Sequence, residues 1–213
     1  MDFIFDPSLV LYLPLYELDG ASFMSEDAYG HLCTVTGALW TPQGRDFDGL
    51  DDWITMPSPH SLLTSVSVEA WIKPDTTQPV SQGNVVCKVY EYQLRWLNTE
   101  YVQAEYYTDS PVGWKTLTSL GKVPNLTWGH TLITLEPSDS NTIVKIYING
   151  KLDNQVTLSG RPIAWNPFTI GSYWTGNRWF YKGLIGEVRL YNRQLTPLEV
   201  QHNYLATKWR YQK

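Results

Sequence analysis

Aromatic, amide and guanidinium side chains concentrate in one stretch, which holds Trp165, Tyr173, Trp174, Asn177, Arg178, Trp179 and Tyr181. Sugar rings present flat C–H faces that stack on aromatic rings, and their hydroxyls need fixed polar groups, so this mixture suits saccharide recognition. Trp174 and Trp179 stand an odd interval apart, which in extended backbone points one inward and the other out. A second place offers similar chemistry. If 92–97 and 102–107 pair as strands, Leu94, Trp96, Val102 and Ala104 share the core face. Gln93, Arg95, Gln103, Glu105 and Tyr107 then form a polar, open face beside Trp114. Loop aromatics suit protein–protein contact equally well, so residue type alone does not separate a glycan binder from an assembly subunit.

Catalytic signatures are missing. There is no Gly-x-Ser-x-Gly elbow, no His-Glu-x-x-His and no Gly-rich phosphate loop. Cys33 and Cys87 have no recognisable pairing motif with His31, His60, His130 or His202. The two thiols could bridge in an oxidising compartment, but a chain of this size needs no staple, and separate buried thiols are expected. The acids Asp46, Asp48, Asp51 and Asp52 lack the spacing and closing Glu of an EF-hand and read as turn chemistry.

The elements that position these groups are strands. Residues 9–15 are apolar on both faces, as in a central strand between two layers, with Pro14 at its end. Phe47 and residues 53–56 flank Asp48-Gly49, a hairpin signal. Residues 66–72 form a strand stopped by Pro74, and 85–90, 92–97 and 102–107 form a meander. Asn149-Gly150 joins 143–148 to 151–158 through a type I′ turn, since both residues accept positive φ. In 184–191, Leu184, Gly186, Val188 and Leu190 alternate with Ile185, Glu187, Arg189 and Tyr191. Thr196-Pro197-Leu198-Glu199 then opens a helical turn with a capping box.

Composition agrees with strands and turns: 10 Trp, 14 Tyr, 15 Gly and 13 Pro in 213 residues. A net charge of −5 without a basic patch argues against a nucleic-acid partner. Apolar runs are too short to span a membrane. Residues 1–44 contain no Lys or Arg, so no secretory or transit signal is legible: either a signal was removed and Met1 added, or a native, complete chain acts without classical secretion, the second being the expectation. An extracellular surface or a virion is the expected location.

Four stretches resemble the laminin-G-like domains, jelly rolls related to concanavalin A. Arg45-Asp46-Phe47-Asp48-Gly49-Leu50-Asp51-Asp52-Trp53-Ile54-Thr55-Met56-Pro57 is similar to their early hairpin, and Ser67-Val68-Glu69-Ala70-Trp71-Ile72-Lys73-Pro74 to a core strand. Trp128-Gly129-His130 with Ile146-Tyr147-Ile148-Asn149-Gly150-Lys151-Leu152 is similar to the central hairpin, and 183–200 to the closing segment. The resemblance implies an all-β, two-sheet antiparallel β-sandwich of the concanavalin A type with one short C-terminal helical turn. It implies a single domain over 1–213, with about fourteen strands.

It also implies a structural calcium, with Asp27 and Glu187 as side-chain ligands and Asp19 as a further candidate. Some jelly rolls of this type hydrolyse glycosides with two facing carboxylates, but no Glu-x-Asp-x-Glu run occurs here, and Glu69, Glu100 and Glu105 do not form one. The expected function is therefore non-catalytic binding of a glycan or surface ligand. A structural or decoration protein of a virion or other assembly is the second reading and a glycoside hydrolase the third. The expected partner is a glycan or an assembly protein, with oligomerisation open.

Overall fold

The computed structural model describes residues 6–59, 65–76, 78–163, 167–174, 176 and 178–212. Sixteen strands and one helix lie among them. In chain order the strands are β1 (Leu9–Leu13), β2 (Ser22–Met24), β3 (Leu32–Thr36), β4 (Leu39–Thr41), β5 (Gly44–Asp48), β6 (Trp53–Met56), β7 (Val66–Pro74) and β8 (Gln82–Lys88). They continue with β9 (Tyr92–Leu97), β10 (Tyr101–Asp109), β11 (Val112–Lys122), β12 (Gly129–Ser138), β13 (Asn141–Ile148), β14 (Lys151–Ser159), β15 (Phe168–Ile170) and β16 (Lys182–Tyr191). Helix α1 (Pro197–Tyr211) follows.

Two antiparallel sheets result. The first runs β14-β13-β12-β7-β16-β5-β4, with β1 also on β16, and the second runs β11-β10-β9-β8-β15-β6-β3-β2. Alternation along each strand sends one set of side chains between the sheets. Val68, Ala70 and Ile72 of β7 meet Leu94 and Trp96 of β9 and Val102 and Ala104 of β10 in one buried core. The expected core face of the meander is therefore observed. Asn149 (φ 49°) and Gly150 (φ 76°) take the positive φ that their turn requires.

Three local expectations are corrected. Phe47 and Trp53 do not share a hairpin, because β5 pairs with β4 and β16 in the first sheet while β6 pairs with β3 and β15 in the second. The Asp48-Gly49 segment thus carries the chain from one sheet to the other. β1 is buried toward both layers, with Leu11 and Leu13 in the main core and Leu9 on the helix side, yet it pairs only with β16. In β16 the strict alternation fails at Gly186. Ile185 sits opposite Ile72 and Glu187 opposite Trp71, so Gly186 is an extra, bulged residue. The bulge puts Ile185, Val188 and Leu190 in the core and leaves Glu187, Arg189 and Tyr191 facing α1.

The capped turn is the first of a 15-residue helix. Thr196 Oγ1 accepts from Glu199 N (3.3 Å) while Glu199 Oε2 accepts from Thr196 N (2.7 Å), completing the capping box. Val200, Asn203, Thr207 and Tyr211 form its buried face. Tyr211 stacks on Trp71 at 4.5 Å and Tyr204 at 5.8 Å, and Trp71 Nε1 donates to Thr207 Oγ1 at 2.8 Å. Beneath the helix, Glu69 takes hydrogen bonds from His130 Nε2 (2.8 Å), Arg189 Nη1 (3.1 Å) and Asn203 Nδ2 (2.8 Å). His130 is fully buried because α1 covers it. Burial would raise the Glu69 carboxyl, but Arg189, His130 and Asn203 outweigh it and hold it down to about 2. Around β7, β12 and β16 the outer face of the first sheet is thus taken up in holding α1.

Candidate functional site

On the outer face of the second sheet, two rows of side chains cross the strands. Register places Asn84, Arg95, Gln103 and Thr118 side by side in one row, and Thr169, Cys87, Gln93, Glu105 and Thr116 in the next. Arg95 is the hub. Its guanidinium pairs with Glu105, donates to Gln93 Oε1 through Nη2 (2.6 Å) and Nε (3.0 Å), and reaches Asn84 Oδ1 at 3.2 Å. Burial pushes the Glu105 carboxyl up, against the pull of Arg95. Asn84 Nδ2 and Gln93 Nε2 are buried donors without a hydrogen-bond partner among the described residues.

The aromatic loop closes over this row. Arg95 lies 4.7 Å from the centre of the Trp179 ring, Trp179 meets Tyr173 edge-on at 4.8 Å, and Tyr173 packs on Cys87 and Val89. Asn84 N donates to Trp179 O at 2.9 Å and Tyr173 N to Arg178 O at 2.9 Å, tying the loop to β8 and to itself. Trp174 and Trp179 hold φ of 46° and 53°, a conformation rare for bulky residues that the packing of the loop must enforce. Arg178 is exposed, 4.4 Å from the Trp179 ring and 5.0 Å from Tyr173. Trp174 is 37% exposed. Along the same face, Tyr90 and Trp114 stack at 5.5 Å, and Tyr107 meets Trp114 edge-on at 5.2 Å. Tyr90 also packs against the Cys87–Tyr173 cluster, so aromatic rings run continuously from Trp114 to Trp179.

The structure therefore unites the two places read from the sequence, and it sorts their residues. Arg178, Trp174 and Trp114 are exposed, while Trp179, Tyr107 and Gln103 are half-buried. Gln93, Arg95 and Glu105 do not form an open face: they are buried because the loop covers them and because they satisfy one another. Tyr173 is likewise buried and supports the loop from below. Trp165 and Asn177 lie outside the described residues. Asn84, Cys87 and Tyr90 were missed. The β8–β9 register would have revealed the first two, since Asn84 pairs with Arg95 and Cys87 with Gln93. Both cysteines are free and buried, and burial pushes each thiol up to about 12, as separate structural thiols.

Each expected calcium ligand makes contacts of its own within the chain. Glu187 is buried under α1 with its charge taken by Arg189. Asp27 accepts from the backbone N–H groups of Tyr12 (3.1 Å), Tyr29 (2.9 Å) and Gly30 (3.1 Å). Asp19 accepts from Gly20 N at 2.6 Å. Among the described residues, the acids whose oxygens converge are instead Asp48, Asp51 and Asp52, which are engaged with nearby backbone: Asp48 Oδ1 accepts from Leu50 N and Asp52 Oδ2 from Asp48 N.

Grooves exist elsewhere too. One of about 510 Å³ lies beside the end of α1, between Lys73, Trp128, Arg210 and Tyr211. There Arg210 lies over Tyr16 at 3.6 Å and Tyr211 packs on Trp71. The outer face of the second sheet combines exposed tryptophans with an exposed guanidinium and is the better candidate.

The sequence profile of the concanavalin A-like lectin/glucanases superfamily matches residues 47–201. The chain belongs to this superfamily. No curated protein matches this concanavalin A-like chain in sequence. Among solved structures, it is similar to the botulinum neurotoxin type G receptor-binding domain, with 14% identity and a TM-score of 0.73, over 94% of this chain and 51% of that one. It is similar also to the binding domain of Paraclostridial Mosquitocidal Protein 1 (12% identity, TM-score 0.72, 93% and 52% covered). The receptor-binding domain of botulinum neurotoxin D aligns at 14% identity and TM-score 0.68, over 94% and 53%. This superfamily member thus spans about half the length of the solved structures it matches, and at these identities the likeness establishes the fold.

Proposed function

We propose that this chain is a non-catalytic binding module that recognises a glycan on the outer face of its second sheet. One observation carries the reading: exposed Trp174, Arg178 and Trp114 stand on a continuous run of rings whose polar underlayer, Arg95 with Glu105 and Gln93, is fixed and buried. A rigid underlayer with exposed aromatic faces is what stacking on sugar rings requires. Glu105 is bound to Arg95, so it is not free to serve as one of two hydrolytic carboxylates. The similarity to receptor-binding domains supports the reading, as does that to botulinum neurotoxin type C, whose cell entry depends on interaction with two ganglioside molecules. The test is a glycan array followed by titration with each hit. Trp174→Ala and Trp114→Ala should each weaken binding about tenfold, within the range for an exposed stacking anchor. No glycan bound by the native chain, or undiminished binding in both variants, would refute it.

A different observation favours an assembly partner. Leu198, Leu205 and Trp209 of α1 lie at helical spacing on its outer side and are 76%, 49% and 60% exposed, an apolar stripe that suits protein contact. Native mass measurements on the chain and on Trp209→Glu would detect self-association through that stripe.

A further inference from the structure

The charges around Trp179 do not balance. Arg95 on the buried side and Arg178 on the exposed side both stand within 5 Å of the same indole ring, at 4.7 and 4.4 Å. One carboxylate serves them, and Glu105 gives it to Arg95. Among the described residues no carboxylate pairs with Arg178. The hydrogen-bonding inventory leans the same way. The acceptors Asn84 Oδ1, Gln93 Oε1 and Glu105 are used on Arg95, whereas among the described residues the buried amide donors Asn84 Nδ2 and Gln93 Nε2 have no partner. The site is thus short of one negative charge and rich in donors. Arg178 is stacked on two rings, which holds its planar fork in place instead of leaving it to sweep through solvent.

We infer that the ligand is an acidic saccharide, one carrying a carboxylate that pairs with Arg178 while a neighbouring ring stacks on the exposed aromatics. This rests on the glycan reading above and adds the charge of the ligand to it. A saccharide is favoured over an acidic peptide because flat rings flank the guanidinium on the same face: Tyr173 and Trp179 directly, Trp174 beside them.

The test compares matched probes: 3′-sialyllactose with lactose, and trigalacturonate with its carboxyl-reduced form. The whole chain is titrated with each by tryptophan fluorescence, at low and at high salt, alongside a general array of neutral, sulfated and carboxylated glycans. The expected result is that the carboxylated member of at least one pair binds at least tenfold tighter. That ratio should fall as salt rises and collapse towards one in R178Q, with the melting temperature of R178Q near that of the native chain because Arg178 is exposed. Three outcomes overturn the inference while leaving the glycan reading intact: equal binding of charged and reduced members, selectivity for sulfated glycans alone, or a ratio that survives in R178Q. Poly-glutamate competing as well as the acidic sugars would also overturn it. If the array shows no glycan bound at all, both readings fall together.

Discussion

Arg95 and Trp179 lie in different parts of the fold, one on a central strand and the other in a loop, and the guanidinium of the first stands 4.7 Å from the ring centre of the second. This contact joins the polar row of the second sheet to the loop that covers it. It also makes the two neighbouring loop tryptophans unequal.

Trp179→Ala should uncover Arg95 and its partners and lower stability by about 1–3 kcal/mol, from the lost cation–π contact and apolar burial. Trp174→Ala should change stability by less than about 0.5 kcal/mol, as for an exposed position. Urea unfolding of both variants checks the contrast, and equal losses would mean that both rings are structural.

Cys87 lies under Tyr173, in the cluster that Trp179 joins, whereas Cys33 belongs to the main core. Both thiols should react slowly with a disulfide reagent, since burial raises each to about 12. Trp179→Ala should accelerate Cys87 by about tenfold or more through local opening of the loop and leave Cys33 unchanged. Mass spectrometry of the labelled chain distinguishes the two sites, and equal acceleration would indicate global destabilisation instead.

Glu69 should dominate the acid limb of stability. Its folded carboxyl is held at about 2 against an ordinary 4.5, so its contribution is complete above about 4.5 and is lost as pH falls from there towards 2. Glu69→Gln should cost about 3–5 kcal/mol at neutral pH, because Arg189 loses one of its two buried carboxylate partners. The gap from the native chain should narrow as pH falls through that window. Denaturant midpoints measured from pH 7 to pH 2.5 would show it, and a gap independent of pH would place the acid sensitivity elsewhere.

Gly186→Ala should loosen the end of α1. A Cβ there would lie 2.4 Å from a ring carbon of Tyr211, so the helix end or the bulge must shift, at a cost of about 1–3 kcal/mol. Hydrogen exchange of residues 203–211 should rise in this variant more than exchange in β9 or β10; a uniform rise would argue against a local clash.

Asp27→Ala should destabilise by about 1–3 kcal/mol through the backbone donors it leaves unsatisfied. The loss should be the same in calcium and in chelator. A loss seen only in calcium would restore Asp27 as a metal ligand.

Local chemistry determined much of this protein in advance. Alternation gave the core face of the meander, because Leu94, Trp96, Val102 and Ala104 can face only one layer together. The Asn149-Gly150 turn and the Thr196–Glu199 cap were legible because each is settled by a few adjacent residues. Helix α1 was recognised at its start but not along its length. Its buried positions at 200, 203, 207 and 211 keep helical spacing, yet Asn203 and Thr207 are polar and conceal the stripe from a reading based on hydrophobicity.

Tertiary structure decided the rest. Only the sheet assignments show that Asp48-Gly49 crosses between layers, and only the pairing of β16 with β7 shows that Gly186 is a bulge, which moves Ile185 into the core. The site followed the same division. Its residue types were visible as two separate groups, but a loop and a strand remote in sequence meet through the packing of Trp179 on Arg95. That contact covers Arg95, whose pairing with Glu105 uses the neighbouring carboxylate, and Arg178 stays exposed. Which polar groups are spent on each other and which remain for a ligand is a matter of long-range contacts, and no spacing along the chain encodes it.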